Sequence, residues 1–214
     1  TRIDKGYQFL KMDVGINLLS GIEGTLIQDP TVAANPHLMH PFTATQITQK
    51  GIEHLTEYAR VIREQLGSTI PIAIDHFGHI GLDSCIRLGR ALDRFTFAWY
   101  EDMLPWQFPK QMKAIKDAVE TPVCTGEDIY LRQEFKTLLD EDCVSYVHPD
   151  LATSGGILET KRIGDLAQEY GVPMVLHQAG SPIVTMANVH CAAATENFVA
   201  LEMQLLEKLY FLSA

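Results

Sequence analysis

Six short apolar segments of this chain each lead to an acidic residue or a histidine. Those residues are Asp75, Glu101, Glu127, Asp150, His177 and Glu202. Successive members are 26, 26, 23, 27 and 25 residues apart, and this spacing accommodates one strand and one helix. A single acidic residue after a strand is more often a helix N-cap, but six in succession share the same end of their strands. Because (β/α)8 barrels carry their chemistry at that end, the repeat predicts an α/β barrel with six reactive side chains on one face.

The strands and helices are predicted from apolar periodicity and from the turn residues between segments. Seven strands are expected, at 8–14, 70–75, 96–100, 122–125, 143–147, 172–176 and 198–201. Helices are expected at 43–66, 83–92, 132–139 and 183–194, with another beginning near Pro109 and another ending near Glu169. A loop rich in Gly, Pro and Asn is expected over 15–41, and Trp99 and Tyr100 are expected to pack within their strand. Strands that alternate with helices of this length form βαβ units with a parallel sheet.

The composition narrows the class of protein. The 214 residues include 17 basic and 27 acidic side chains, for a formal net charge of −10, which argues against nucleic acid or an anionic membrane as a partner. The four cysteines are scattered without a C-x-x-C pair, so we expect buried thiols in a reducing compartment. The sequence contains no apolar run of membrane length and no signal peptide. We therefore expect a cytoplasmic protein with one sizeable core.

The first three members of the repeat predict a metal site. Asp75, Glu101 and Glu127 are carboxylates from consecutive predicted strands. Carboxylates that converge repel one another unless a cation neutralises them. Because every donor is oxygen, a hard divalent ion is expected, and Mg²⁺ fits best, with water and substrate completing its coordination.

The next two members, Asp150 and His177, are predicted to form an acid–base pair. A carboxylate beside an imidazole selects its tautomer and stabilises its charged form. Lys11 and Asp13 share one face of the strand predicted at 8–14. In a barrel that face points inward, toward the predicted site, but an edge strand with a solvated face explains the same pattern equally well.

Together these segments resemble the enolase superfamily, and within it the mandelate racemase subgroup of the mandelate racemase/muconate lactonizing enzyme family. The resemblance rests on the segments LKMDVG, AIDHFGH, WYED, TGED, HPDLATSGGI, VLHQAGSP and FVALE. It implies a TIM-type (β/α)7β barrel that is capped by a separate α+β domain. On this basis residues 1–214 are expected to be the C-terminal barrel domain, with strands 2 to 8, and with the capping domain and the first barrel strand absent.

The resemblance also implies a reaction. The family's metal ligands match Asp75, Glu101 and Glu127, which would hold one Mg²⁺ in each active site. The ion would bind the substrate carboxylate and stabilise the enediolate that forms when the proton α to that carboxylate is removed. His177, oriented by Asp150, would be the base, and Glu202 would donate a hydrogen bond to the developing charge. The partner is then a small-molecule carboxylate, and we also expect a homo-oligomer.

One segment departs from the family pattern. The family often carries Lys-x-Lys on strand 2, with the second Lys as a base, whereas this chain has Lys11 and then Asp13. Lys11 matches the lysine that contacts the substrate carboxylate. Asp13 is expected to pair with Lys11 and keep it charged, which makes Lys11 a poor base. The expected reaction therefore uses one base, His177, which removes the α-proton and then helps to expel the β-hydroxyl.

The resulting prediction is a Mg²⁺-dependent dehydratase of a sugar acid, an aldonate or an aldarate, which forms a 2-keto-3-deoxy acid. Asp13, His76 and His79 are candidates for binding substrate hydroxyls, although packing explains the two histidines equally well. Two alternatives stay open. A racemase or epimerase of a 2-hydroxy acid would use Lys11 as a second base, and a non-catalytic family member would only bind a carboxylate. The substrate itself is not predicted.

Overall fold

The structure is a computed structural model that describes residues 3–28, 44–77 and 80–203. The chain divides into two compact units, Thr1–Val123 and Cys124–Ala214. In each unit parallel strands alternate with helices along the chain, which is the predicted α/β arrangement.

The described part of the first unit contains two kinds of sheet. Its strands are β1 (Leu10–Asp13), β2 (Leu26–Gln28), β3 (Thr45–Ile47), β4 (Ile72–Asp75) and β5 (Tyr100–Glu101). Its helices are α1 (Gln49–Leu66), α2 (Leu82–Leu92) and α3 (Pro109–Ala118), besides short 3-10 turns. β1, β4 and β5 are neighbours and run parallel, with Asp13 opposite Asp75. Their carboxyl ends therefore lie side by side.

Helix α1 illustrates how local sequence sets the limits of an element. Thr48 caps its start, since its hydroxyl accepts a hydrogen bond from a backbone amide three residues later. Ile52, Leu55 and Ala59 lie on one buried face, which is the spacing of an amphipathic helix. Gly67, with a φ of 70°, follows the last turn, where a positive φ favours glycine.

The described part of the second unit contains four parallel strands in chain order. They are β6 (Val123–Thr125), whose first residue belongs to the first unit, β7 (Tyr146–Val147), β8 (Met174–Leu176) and β9 (Phe198–Leu201). The helices are α4 (Leu131–Asp140), α5 (Leu151–Ser154), α6 (Ile157–Glu169) and α7 (Pro182–Ala193). Asp150 and His177 form one more parallel bridge beyond the β7–β8 pairing. This bridge aligns the two residues at the ends of their strands.

The core contains buried strands and buried thiols. Ile72, Ala73 and Ile74 of β4 are all buried, which is typical of a parallel strand covered on both faces. All four cysteines are buried thiols. None of the helices in the described ranges is long and apolar enough to cross a bilayer.

Six of the seven predicted strands enclose an observed strand within their bounds, namely β1, β4, β6, β7, β8 and β9. Two predictions were wrong in detail: the strand expected at 96–100 overlaps β5 only at Tyr100, and one helix begins later than expected. The helix expected over 43–66 begins at Gln49, because residues 45–47 form β3 and pair with β2 from within the expected loop. The helix expected to end near Glu169 is present as α6, and the short helix α5 before it was not predicted. Gly155 and Gly156, with φ values of 120° and 87°, separate the two helices.

Candidate active site

The first group of predicted site residues lies at the ends of β1, β4 and β5, and we call it the Lys11 cluster: Lys11, Asp75 and Glu101. The Lys11 ammonium nitrogen lies 2.7 Å from Glu101 Oε1 and 3.1 Å from Asp75 Oδ2. Parallel pairing of the strands sets these contacts, since it brings three successive strand ends together. The cluster is therefore a cation held between two carboxylates.

Glu101 is the most deeply placed member, with a side chain that is 0% exposed. A buried carboxylate needs compensating partners, because burial removes its hydration. Lys11 donates to Oε1, and the indole Nε1 of Trp99 donates to Oε2 at 2.9 Å. Each oxygen of Glu101 thus has a hydrogen-bond donor.

Asp75 is oriented in a similar way from its own strand end. Its Oδ1 accepts a hydrogen bond from the backbone amide of His76 at 2.9 Å, while its Oδ2 contacts Lys11. One ammonium group therefore contacts both Asp75 and Glu101. The two carboxylates are close enough together for a single cation to contact both. Carboxylate oxygens are the donors that Mg²⁺ prefers, and these two residues fit that ion.

The second group lies in the second unit, and we call it the His177 cluster: His177, Glu127, Asp150 and Glu202. His177 Nδ1 lies 2.7 Å from Asp150 Oδ2. Its other ring nitrogen, Nε2, lies 3.2 Å from Glu127 Oε2 and 3.6 Å from Glu202 Oε2. When Asp150 accepts the Nδ1 hydrogen, the neutral ring carries its lone pair on Nε2.

Asp150 has two structural roles, one for each carboxylate oxygen. Its Oδ1 accepts hydrogen bonds from the backbone amides of Ala152 and Thr153 at 2.7 and 3.1 Å, so Asp150 is the N-cap of α5. Its Oδ2 contacts His177. Burial raises the pKa of Asp150, but the hydrogen bonds from His177 and from these amides outweigh burial and hold that pKa below its usual value. The carboxylate is therefore ionised near neutral pH.

Glu127 reaches His177 because the residue before it is glycine. Gly126 has a φ of 151°, and a Cβ there would lie 2.8 Å from the carbonyl carbon of His148. Any other residue would push the two strand ends apart. Glu127 itself is 30% exposed, so this carboxylate remains accessible to solvent and ligands.

Comparison with known proteins assigns the family. The sequence model of the family described as "Enolase C-terminal domain-like" matches residues 1–212. This chain belongs to that family. A solved mandelate racemase/muconate lactonizing enzyme-like protein from Rubrobacter xylanophilus shares the fold with a TM-score of 0.81 and 31% identity, over 94% of this chain and 47% of that chain. The predicted resemblance and the TIM-type barrel class are thus confirmed.

Two curated relatives of this enolase-family chain carry names of sugar-acid enzymes. D-xylonate dehydratase of Haloferax volcanii is 33% identical over 198 residues, which are 92% of this chain and 43% of the relative. Arabinonate dehydratase of Saccharolobus solfataricus is 28% identical over 149 residues, which are 70% of this chain and 40% of the relative. The chain therefore spans less than half the length of these relatives.

Three predicted site residues lie outside the two clusters. Asp13 is exposed at the end of β1, and the expectation that it pairs with Lys11 was wrong, since Lys11 pairs with Asp75 and Glu101 instead. The difference follows burial, because Asp13 is exposed to solvent whereas Glu101 is buried and needs a compensating charge. His76 is half-buried and contacts Asp75 through its backbone. His79 lies outside the described residues.

Sequence reasoning missed three residues that contact the clusters. Trp99 is buried just before β5 rather than within a strand, and its indole donates to Glu101. The ring of His148 is buried and meets the ring of His177 edge-on, with centroids 5.5 Å apart. Gln178 is 3% exposed. A buried polar side chain beside a site residue is the signal that could have identified Gln178, because such groups need partners.

The partners of Gln178 connect the end of β8 to α7. Its side-chain amide donates to Gly180 O at 3.2 Å and to Thr185 Oγ1 at 2.7 Å, and it accepts from Asn188 Nδ2 at 2.9 Å. These bonds hold the loop that follows His177. The backbone position of His177 is therefore supported from both sides, by the Asp150 bridge and by Gln178.

Proposed function

We propose that this chain supplies the catalytic barrel of a Mg²⁺-dependent dehydratase that acts on a sugar acid, an aldonate or an aldarate. The observation that carries the proposal is the His177 cluster, in which one ring nitrogen is bound to Asp150 and the other faces carboxylates. The names of three relatives, D-xylonate, D-gluconate/D-galactonate and arabinonate dehydratase, support a sugar acid as the substrate class. Residues 1–214 would then correspond to the barrel domain of a larger architecture.

The proposed ligands of the metal ion are Asp75, Glu101 and Glu127. A Mg²⁺ ion bound by these residues would coordinate the substrate carboxylate. It would stabilise the negative charge that develops when the α-proton is removed. All three side chains offer oxygen donors, and Asp75 and Glu101 already converge on one cationic group. Glu127 is partly exposed and so remains accessible.

His177 would carry the proton through the whole reaction. Asp150 holds the Nδ1 hydrogen, so Nε2 takes the proton from the carbon α to the substrate carboxylate. The imidazolium then has an acceptor in Glu127, 3.2 Å from Nε2, and keeps its proton until the next step. The same Nε2 returns the proton to the β-hydroxyl as the carbon–oxygen bond breaks, so that water leaves and the enol product becomes the 2-keto-3-deoxy acid.

Lys11 would serve as a fixed positive charge near the substrate carboxylate. To act as the second base of a racemase, Lys11 would have to lose its proton and give up its ion pairs with Asp75 and Glu101. The Glu101 carboxylate in the second pair is buried, so the loss of that pair is costly. This geometry favours the dehydratase over the racemase.

The proposed role of Glu202 is to donate a hydrogen bond to the developing charge when it is protonated. Its Oε2 lies 3.6 Å from His177 Nε2 and 3.5 Å from the backbone nitrogen of Gln178. These contacts orient Glu202 at the end of β9. Asp13 and His76 remain candidates for binding the substrate's hydroxyl groups.

The reaction is tested by incubating the protein with Mg²⁺ and a panel of mono- and diacid sugars in deuterated water. A dehydratase converts at least one acid to a 2-keto-3-deoxy product, with the carbon–oxygen bond cleaved. A racemase would instead return substrate that carries deuterium at an inverted carbon, without a keto product. Saturable carboxylate binding without turnover would identify a non-catalytic member. The expected homo-oligomer is tested separately by size-exclusion chromatography with light scattering, which gives the molar mass of the protein in solution.

A further inference from the structure

The indole of Trp99 is buried and contacts the Lys11 cluster through Glu101. Trp99 directly precedes β5 and is two residues before Glu101. Trp99 Nε1 donates to Glu101 Oε2 at 2.9 Å, and both side chains are buried. The intervening Tyr100 points the other way and bonds to Gly89 O of α2 at 3.0 Å.

The indole is held in place by contacts that do not involve the carboxylate. Its ring stacks on Phe9 with centroids 5.9 Å apart and an interplanar angle of 29°. Its backbone carbonyl accepts a hydrogen bond from Ile74 N at 2.9 Å, which fixes the backbone at Trp99. The N–H group is therefore presented to Glu101 by a rigid support.

Lys11 and Trp99, which both donate to Glu101, differ in charge. Lys11 is a cation and contacts Oε1, whereas Trp99 is neutral and contacts Oε2. A neutral donor fixes the rotation of the carboxylate without adding a positive charge that would oppose a metal ion. Each carboxylate oxygen has a second lone pair, so this bond leaves acceptor capacity for a ligand.

We propose that Trp99 is a positioning residue for the metal site, which fixes the orientation of the Glu101 carboxylate and thereby sets the affinity for Mg²⁺. The proposal rests on the proposed role of Glu101 as a ligand. Partners that orient metal ligands in this way typically contribute about 10- to 100-fold to metal affinity. The same hydrogen bond makes the indole an optical reporter, since the electron density around its N–H changes when the bonded carboxylate binds a cation.

The test compares Trp99→Phe with Phe9→Leu by titration calorimetry with MgCl₂ in the absence of substrate. Trp99→Phe keeps an aromatic ring but removes the N–H donor, whereas Phe9→Leu weakens the stack and keeps the donor. We expect Trp99→Phe to weaken Mg²⁺ binding by about 10- to 100-fold. Phe9→Leu should lower the melting temperature and leave the Mg²⁺ affinity within about threefold.

A second measurement uses the two tryptophans of the chain, Trp99 and Trp106. In the Trp106→Phe protein all tryptophan emission comes from Trp99, and it should change saturably with MgCl₂ at the dissociation constant found by calorimetry. Unchanged Mg²⁺ affinity in Trp99→Phe, or equal losses of affinity in both variants, would overturn the positioning role and leave the metal site standing. A wild-type protein that binds no Mg²⁺ would overturn the proposed metal site and this inference with it.

Discussion

The Lys11 cluster and the His177 cluster both join a nitrogen group to carboxylates, but they suit different tasks. In the Lys11 cluster one ammonium bridges two carboxylates, and Glu101 is completely buried. In the His177 cluster the two nitrogens of one ring face different carboxylates, and Glu127 and Glu202 are partly exposed. The first arrangement holds a fixed charge, whereas the second can gain and lose a proton. The comparison distinguishes a fixed positive charge from a ring whose two nitrogens have different partners.

The largest expected effect is the loss of turnover in the His177→Asn variant. Removing the base should lower turnover by about 10²- to 10⁴-fold, because a general base contributes that much. Mg²⁺ binding measured by calorimetry should remain, since the proposed ligands are unchanged. The exposed His190 of α7 provides a matched control, and His190→Asn should leave turnover unchanged. Full activity in His177→Asn would exclude the one-base mechanism.

The next effect concerns stability in the Lys11 cluster. Glu101→Gln removes a buried partner of Lys11 and should lower the free energy of unfolding by about 3 kcal/mol. Asp75→Asn, at a side chain that is 21% exposed, should cost about 1 kcal/mol or less. Urea unfolding without Mg²⁺ measures both values. Equal losses would mean that burial does not distinguish the two carboxylates.

A smaller effect tests the two roles of Asp150. Asn is a good N-cap and Ala is a poor one, so Asp150→Ala should be about 1 kcal/mol less stable than Asp150→Asn. Turnover should fall strongly in both variants, because neither supplies the charge that His177 contacts. Stability and turnover are measured on the same preparations. Wild-type turnover in Asp150→Asn would show that His177 needs only a hydrogen-bond acceptor.

The smallest effect is the pH dependence of stability. Because the pKa of Asp150 is lowered in the folded protein, its ionised form stabilises the fold above the pKa of the unfolded chain, about 3.9. That contribution is lost as the pH falls through the folded pKa. The stability difference between wild type and Asp150→Asn should therefore be present at pH 7 and shrink below about pH 4. Urea unfolding at both pH values checks the direction, and a difference that grows in acid would contradict it.

The strand positions were predictable because each rests on a short apolar run with a polar residue at its end. Residues 72–75 and 174–176 illustrate this, since both lie within predicted strands. The β2–β3 pair was not predictable, because its segments are separated by a long stretch of chain and each has only three residues. Short strands acquire their stability from pairing and packing, which leave little periodicity in the sequence.

The chain's own sequence determined which groups end each strand and in what order, because those features depend on local propensity and on the length of one β/α repeat. Tertiary structure alone decided the partners. Strand pairing brought Lys11 to Asp75 and Glu101 instead of Asp13, and it presented the indole of Trp99 to Glu101. The reason is that hydrogen bonds and ion pairs depend on distances of about 3 Å between side chains on different strands. Only the register of the folded strands sets such distances.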